Sequence, residues 1–388
     1  MDRGLRIAFL FNAQDHQIPH SLPIACELSR MHPAFAVTVL ARTDAQIDLC
    51  RRLAAFYPGH RLTFRVLHTP RPVAMLDAAV GPLKALALWA NRAALDTYDA
   101  LVIPERTTLM LKKMGVRRPM FIHTAHGAGG ADRPDDPRLR AFDLLLLPNA
   151  RRLADIEAAG NSRPGRAAVI GAVKLDLIRR MAAGERPLFA NGRPTVLYNP
   201  HHRAGTTSWT GMGPAVLDHF AASARYNLIF APHVRLFDPP RRHARAFRRW
   251  RGLDHLRVDL GSTASIDMTY TLGADIYLGD LSSQVLEFLV RPRPCVFLNP
   301  RGIAWRDDPD FTNWRLGRVV DGVAAMADVL DARDQWEPDF SSVQRDAFRA
   351  AFPSTGEPAP GRGARVIAAF MEHGSVPDDL ARPVAAST

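Results

Sequence analysis

Short apolar runs that do not alternate, each followed by a stretch with helix-compatible spacing, recur along most of this 388-residue chain. In the first half they fall at residues 5–11 (LRIAFLF), 35–41, 100–104, 119–124, 142–148 and 167–171. A strand with one wet face alternates apolar and polar side chains, whereas a strand covered on both faces has no reason to. Such runs, separated by segments long enough for crossover helices, predict a parallel sheet with helices on both sides. Helical spacing at 20–31 and 43–57 supplies the first covering elements.

The polar stretch GERPLFANGRP at 184–194 interrupts this pattern with Gly, Pro and Asn, a linker composition. Beyond it the alternation restarts, with strands expected at 195–200, 226–232, 256–260, 274–279 and 294–300 and helices at 213–223, 239–249, 264–272 and 282–290. The expected fold class is α/β, with two doubly wound Rossmann-like domains facing a cleft. The domains are placed at 1–188 and 189–375, with 376–388 as a disordered tail. The length exceeds what one core ordinarily supports, and a 47% hydrophobic content is enough for two. Further helical patterns lie at 318–333, 340–350 and 363–373, and periodicity alone does not say whether the last returns to the first domain. Open sheets of this kind bind ligands beyond the carboxyl ends of their strands.

Several classes are set aside early. Cys26, Cys50 and Cys295 are far apart and form no C-x-x-C pair, so they read as buried small hydrophobes in a reducing compartment. The opening MDRGLRIAFLF runs straight into NAQDH and reads as a first strand rather than a signal peptide. No run reaches the roughly 20 apolar residues that span a bilayer. A cytoplasmic protein is expected, with peripheral attachment to the inner face of the plasma membrane as an extension of that expectation. The net charge of +11 favours an anionic partner. It is densest at 235–257, which reads first as a solvated arginine-rich helix and second, since Phe247 and Trp250 can share a helical face among Arg245, Arg248, Arg249 and Arg251, as a lipid-headgroup or polyanionic-acceptor surface. No nucleic-acid-binding signature accompanies the charge.

Candidate chemistry gathers just after apolar runs. His126, in HTAHGAGG, follows a strand, and Gly127, Gly129 and Gly130 permit a tight turn there; the spacing matches neither a dinucleotide fingerprint nor a phosphate loop. His201, His202 and Arg203 follow the run at 195–200, ahead of the hydroxyls of Thr206, Thr207 and Ser208. They read as an anion-facing loop, and adjacent histidines are expected to point in different directions and so not to share a metal. His233 and Arg235 follow the run at 226–232 and offer a ring nitrogen and a cation to phosphate oxygens. Asp280, Ser282 and Ser283 open the helix expected at 282–290, where hydroxyls and free N–H groups can meet phosphate, although each can equally be an ordinary cap.

Taken in order, these segments resemble the bacterial CDP-glycerol glycerophosphotransferase family, over about residues 120–330 and most closely after 195. Ala125, His126 and Gly127 match its tryptophan-histidine-glycine segment, with alanine in place of the aromatic residue. Tyr198, Asn199, Pro200, His201, His202 and Arg203 match a tyrosine-alanine-proline-threonine segment that closes in arginine. Ala231, Pro232, His233 and Val234 match a lysine-x-histidine-proline segment at the histidine alone, and Asp280, Leu281, Ser282 and Ser283 match its aspartate-x-serine-serine turn. The resemblance implies a glycosyltransferase-B-like fold and transfer of glycerol phosphate from CDP-glycerol to a hydroxyl of a lipid-linked saccharide or surface polymer. His126 would be the general base and His233 would bind or protonate the leaving phosphate. Arg203, Ser282 and Ser283 would stabilise phosphate charge, with His201, Arg235 and Asp280 completing the donor site.

Two readings stand beside it: an inverting nucleotide-sugar glycosyltransferase, with an epimerase as a further relative, and a non-catalytic carbohydrate- or lipid-binding protein. No tightly bound cofactor and no metal are expected, since no cluster has convincing ligand spacing in sequence; Asp280 leaves room for Mg²⁺ assistance.

Overall fold

The computed structural model describes residues 4–70, 84–125, 134–182, 187–223, 225–282, 284–353 and 355–382. The chain divides into two compact units, Met1–Arg180 with Phe352–Thr388, and Met181–Ala351. Each is built on one parallel sheet, and the sheets have the orders β3-β2-β1-β4-β5-β6-β7 and β10-β9-β8-β11-β12-β13. The fold is therefore the expected α/β pair of doubly wound, Rossmann-like units.

In the first unit the strands are β1 Arg6–Phe11, β2 Ala36–Ala41, β3 Thr63–Val66, β4 Ala100–Ile103, β5 Met120–Thr124, β6 Leu144–Leu147 and β7 Ala167–Val169. The central ones are buried on both faces: every residue of β4 and β6 is buried, which is why their sequences do not alternate. β3 was not expected from sequence. It is an edge strand, TFRV, largely exposed, so it carries no apolar run to announce it.

In the second unit β8 is Thr195–Asn199, β9 Asn227–Phe230, β10 Leu256–Val258, β11 Ile276–Gly279, β12 Cys295–Leu298 and β13 Arg318–Val320. The order reverses between β8 and β11, which places the topological switch point beside the strands that carry the candidate residues. β13 lies inside the segment expected to be helix from 318; three residues are too few to display either period, and the helix begins at Val323.

Three further expectations change. The second domain was extended to 375, but the chain returns to the first unit at Phe352. There the helix Ala359–His373 packs along the helix Leu22–Met31. A Cβ on Gly363 would lie 3.2 Å from the Ile24 side chain and 3.3 Å from that of Ile170, so glycine allows the close approach. Arg362 then donates from Nε to the Val169 carbonyl and from Nη2 to the Leu380 carbonyl, both at 2.8 Å. The described part of the expected disordered tail is consequently anchored: Val376 is buried, its N–H donates to the Gly165 carbonyl, and Asp378–Ala381 forms a helical turn.

The third change concerns the arginine-rich segment, which is not one helix but the turns Pro240–His243 and Ala244–Trp250. Phe247 and Trp250 are not displayed beside the arginines. They are core residues, 1% and 4% exposed, and Phe247 stacks against Phe230 with Trp209 and Phe237 beside it. Trp250 Nε1 donates to Asp218, which also pairs with Arg249 at 2.8 Å. Their apolar surface is worth more in the core than at a wet interface, and only the cations remain outside. The three cysteines are free and buried as expected, and burial pushes their thiols up. Among the described residues no helix is long and apolar enough to cross a membrane.

The docked terminal helix gives the first prediction. Ile367 is fully buried in it, so Ile367→Ala should lower the unfolding free energy of the first unit by about 2–5 kcal/mol through lost burial and a residual cavity. Chemical denaturation would show this as a lower midpoint.

Candidate functional site at the strand ends of the second sheet

Three turns leave the carboxyl ends of the adjacent strands β9, β8 and β11. β8 ends at Asn199, and Pro200, which cannot continue a strand ladder, sends His201, His202 and Arg203 into a turn. β9 ends at Phe230, and Ala231, Pro232, His233, Val234 and Arg235 repeat the arrangement. The two turns are tied together by main-chain bonds, Ala231 N–H to the Tyr198 carbonyl and His233 N–H to the Pro200 carbonyl, both at 3.0 Å. Asn199 Nδ2 adds a bond to the Ala231 carbonyl at 2.7 Å.

The result is a pair of His-x-Arg turns lying side by side. In each, the arginine amide points back at the histidine Nδ1, Arg203 to His201 at 3.4 Å and Arg235 to His233 at 3.2 Å. The expectation that His201 and His202 diverge does not hold, because alternation belongs to extended strands and Pro200 has already ended this one. Their ring centroids are 4.3 Å apart, His202 and His233 are also 4.3 Å apart, and His201 and His233 are 5.4 Å apart. One ring nitrogen of each lies within 4.8 Å of the other two.

All three rings are half-buried, while Arg203 and Arg235 are exposed. Burial first, then the charges of His202, Arg203 and Arg235, lower the pKa of His201 to about 4. His202 is lowered by the same two influences, burial before the two arginines. The His201 and His202 imidazoles are neutral near pH 7, and each can donate from one nitrogen and accept at the other. With two guanidiniums beside them, the turns offer neutral donors and fixed positive charge to an anion without placing a second titrating cation there.

Asp280, at the end of β11, does something different from what its sequence position suggested. It is fully buried. One carboxylate oxygen accepts from the His201 and Leu281 amides at 2.8 and 2.7 Å, the other from the Ser208 amide and hydroxyl at 2.6 and 2.8 Å. It therefore holds both ends of the loop 201–208 instead of facing a ligand. Burial pushes its carboxyl up to about 6 in spite of the four donors. A rise of that size corresponds to about 3 kcal/mol by which desolvation outweighs them.

Ser282 is likewise turned inward. It is 5% exposed, and its hydroxyl accepts from the Gln284 amide at 3.3 Å, which is ordinary capping of a five-residue helix. His126 and Ser283 lie outside the described residues. Of the residues singled out in sequence, the structure brings His201, Arg203, His233 and Arg235 together, with Asp280 as a buried support of the loop that carries His201 and Arg203 and Ser282 bonded within its own turn.

Of two further supports, sequence reasoning read Ser208 as a hydroxyl of an anion-facing loop and missed Arg301. Ser208 is fully buried, held by Asp280 and the Tyr198 hydroxyl. Arg301 donates to the carbonyls of Ala204 and Gly205 and closes the loop from β12. A signal for Arg301 was available: Pro200-His201, Pro232-His233 and Pro300-Arg301 are the same proline–basic pair at the ends of β8, β9 and β12.

The titration of Asp280 carries a sign that can be checked. Its folded pKa lies above the unfolded value of 3.8, so between about pH 4 and 6 the folded state holds more protons and stability falls as pH rises. Asp280→Asn has no such group. The stability advantage of the natural protein over the variant should shrink by about 2–3 kcal/mol between pH 4 and 7, read from denaturation curves at each pH.

No protein-family model matches the chain, and no curated protein matches it in sequence. Solved structures do match in shape. The wall teichoic acid polymerase TagF superposes with a TM-score of 0.63 at 13% identity, over 96% of this chain and 89% of that one. A putative UDP-N-acetylglucosamine 2-epimerase from Listeria monocytogenes gives 0.62 at 14% identity, over 97% and 98%. The S. aureus MnaA-UDP co-structure gives 0.59 at 12% identity, over 95% and 96%. With likeness over nearly the whole length of each, the chain has the two-domain α/β architecture of the glycosyltransferase-B fold.

Proposed function

We propose that this protein is an alditol-phosphate transferase, moving glycerol phosphate or a close relative from a CDP-linked donor to a hydroxyl of a lipid-linked saccharide or surface polymer. The observation that carries the reading is the pair of His-x-Arg turns at the switch point of the second sheet. They present two exposed guanidiniums and neutral imidazoles where an open α/β sheet receives the phosphates of a nucleotide. A TagF variant soaked with CDPG shares the fold, and the order of the strand-end motifs follows the same family.

In this reaction the acceptor oxygen attacks the phosphorus that bears glycerol, the bond from that phosphorus to the bridging oxygen breaks, and CMP leaves with the bonding electrons. Negative charge builds on the bridging oxygen and the departing phosphate. Arg203 and Arg235 offset it with charge that persists at any working pH, and His201 and His233 contact the phosphate oxygens. The hydroxyl proton goes to His126, the base that the resemblance implies. Asp280, Ser208 and Arg301 act as positioning residues that hold the loop carrying His201 and Arg203. A lipid-linked acceptor accords with the exposed Arg245, Arg248, Arg249 and Arg251, through charge alone since the neighbouring aromatics are buried.

A nucleotide-sugar enzyme is the second reading, favoured by the UDP complex among the structures of the same fold. Calorimetry separates the two. CDP-glycerol, CDP-ribitol and CMP should bind in preference to UDP and UDP-sugars; selective binding of UDP would turn the assignment to the second reading. Arg203→Ala and His233→Ala should each weaken CDP-donor binding by about 1–3 kcal/mol, as expected for charge-assisted contacts. His126→Ala should leave donor affinity nearly unchanged and slow turnover by about 10²- to 10⁴-fold. A wild-type protein that binds the donor yet releases no CMP in the presence of acceptor would instead be a binding protein.

A further inference from the structure

We propose that His201, His202 and His233 together hold a divalent transition-metal ion of the zinc class. Three features point there. One nitrogen from each ring lies within 4.8 Å of the other two, the spacing of a group that can close on one ion. Tetrahedral zinc with Zn–N bonds of about 2.0–2.1 Å needs its nitrogens roughly 3.4 Å apart, which small side-chain rotations reach from here. The rings are carried by a backbone that is already fixed. Asp280 holds the His201 amide, Pro200 and Pro232 stiffen the turns, and the His233 amide is bonded to the Pro200 carbonyl.

The third feature is independent of spacing. Nδ1 of His202 is buried and has no hydrogen-bond partner. A buried ring nitrogen left alone is costly, and coordination would satisfy it. At His201 the contacts are long, with Thr206 Oγ1 and the Arg203 amide each 3.4 Å from its Nδ1.

The opposing influence is the charge of Arg203 and Arg235. Both guanidiniums are exposed, where water and salt screen their repulsion of a cation. Asp280 does not enter the coordination sphere, since both of its oxygens are occupied by the loop. Three imidazoles suit zinc, cobalt or nickel rather than magnesium, which prefers oxygen ligands. They also leave at least one coordination position open, as catalytic rather than structural metal sites do. On the function proposed above, that position is where a donor phosphate oxygen would bind, so the arginines and the metal would share the same diphosphate.

Cobalt is the probe. Chelator-stripped full-length protein titrated with Co²⁺ should develop visible d–d absorption that saturates at one equivalent and is displaced by Zn²⁺. His202→Ala and the more conservative His202→Gln should both lose that absorption while keeping the wild-type circular dichroism and melting temperature without metal. His219→Ala, which alters a histidine on the helix Trp209–Ala222, should keep it. Absence of one-equivalent absorption in the wild type, or its survival in either folded His202 variant, would overturn the site. CDP added to the cobalt-loaded protein should shift the band. An unchanged band while calorimetry records CDP binding would overturn the shared phosphate position, whereas no CDP binding alongside a normal cobalt site would overturn the donor assignment alone.

Discussion

A single buried carboxylate organises the candidate site. Asp280 accepts three hydrogen bonds from the two ends of the loop that follows β8 and a fourth from the Leu281 amide, and its own main-chain carbonyl accepts from Trp314 Nε1 at 3.1 Å. It thereby joins three pieces of the second unit that are distant in sequence. Removing a carboxylate from water is expensive, and here the donors do not fully offset it, as the raised pKa records. Energy spent in this way yields a fixed loop, and a fixed loop is what the histidines and arginines above it require.

The same economy explains the distribution of the cations. Arg203 and Arg235 stand in solvent beside neutral rings, so the site carries permanent charge without forcing like charges into a buried space. Elsewhere arginine is structural. Arg293 is buried and spends its guanidinium on the carbonyls of Thr271, Leu272, Ala274 and Phe288. Arg362 ties the terminal helix to the end of β7. A net charge of +11 is thus not one surface but several uses of a group that makes many bonds in a fixed plane.

Much of the fold was legible because burial on both faces leaves its mark on composition. Among the described residues eleven strands coincide with apolar runs seen in sequence, and the exceptions are β3 and β13, two of the four edge strands. β3 is largely exposed and β13 is three residues long with one exposed, so neither leaves an unbroken apolar run to detect. The return of the chain at Phe352 was not legible, since an amphipathic helix records that it covers something and not what it covers. The same limit applies to Phe247 and Trp250: spacing placed them on one side of the segment, and only packing against Phe230 turned that side inward.

For the site, the sequence by itself determined which residues stand at strand ends, because a proline after an apolar run stops the ladder at a known place. That was enough to bring out His201, Arg203, His233 and Arg235; Asp280 follows Gly279, where the apolar run of β11 itself stops. The tertiary structure alone decided which of them face outward. Asp280 and Ser282 have the same polar character as those residues, yet both are buried: Asp280 meets the amides of the loop after β8, and Ser282 meets the Gln284 amide of the helix that follows it. It also decided that His201, His202 and His233 share one space, since convergence depends on how two turns lie side by side after their strands pair, a relation between positions about thirty residues apart that no local pattern encodes.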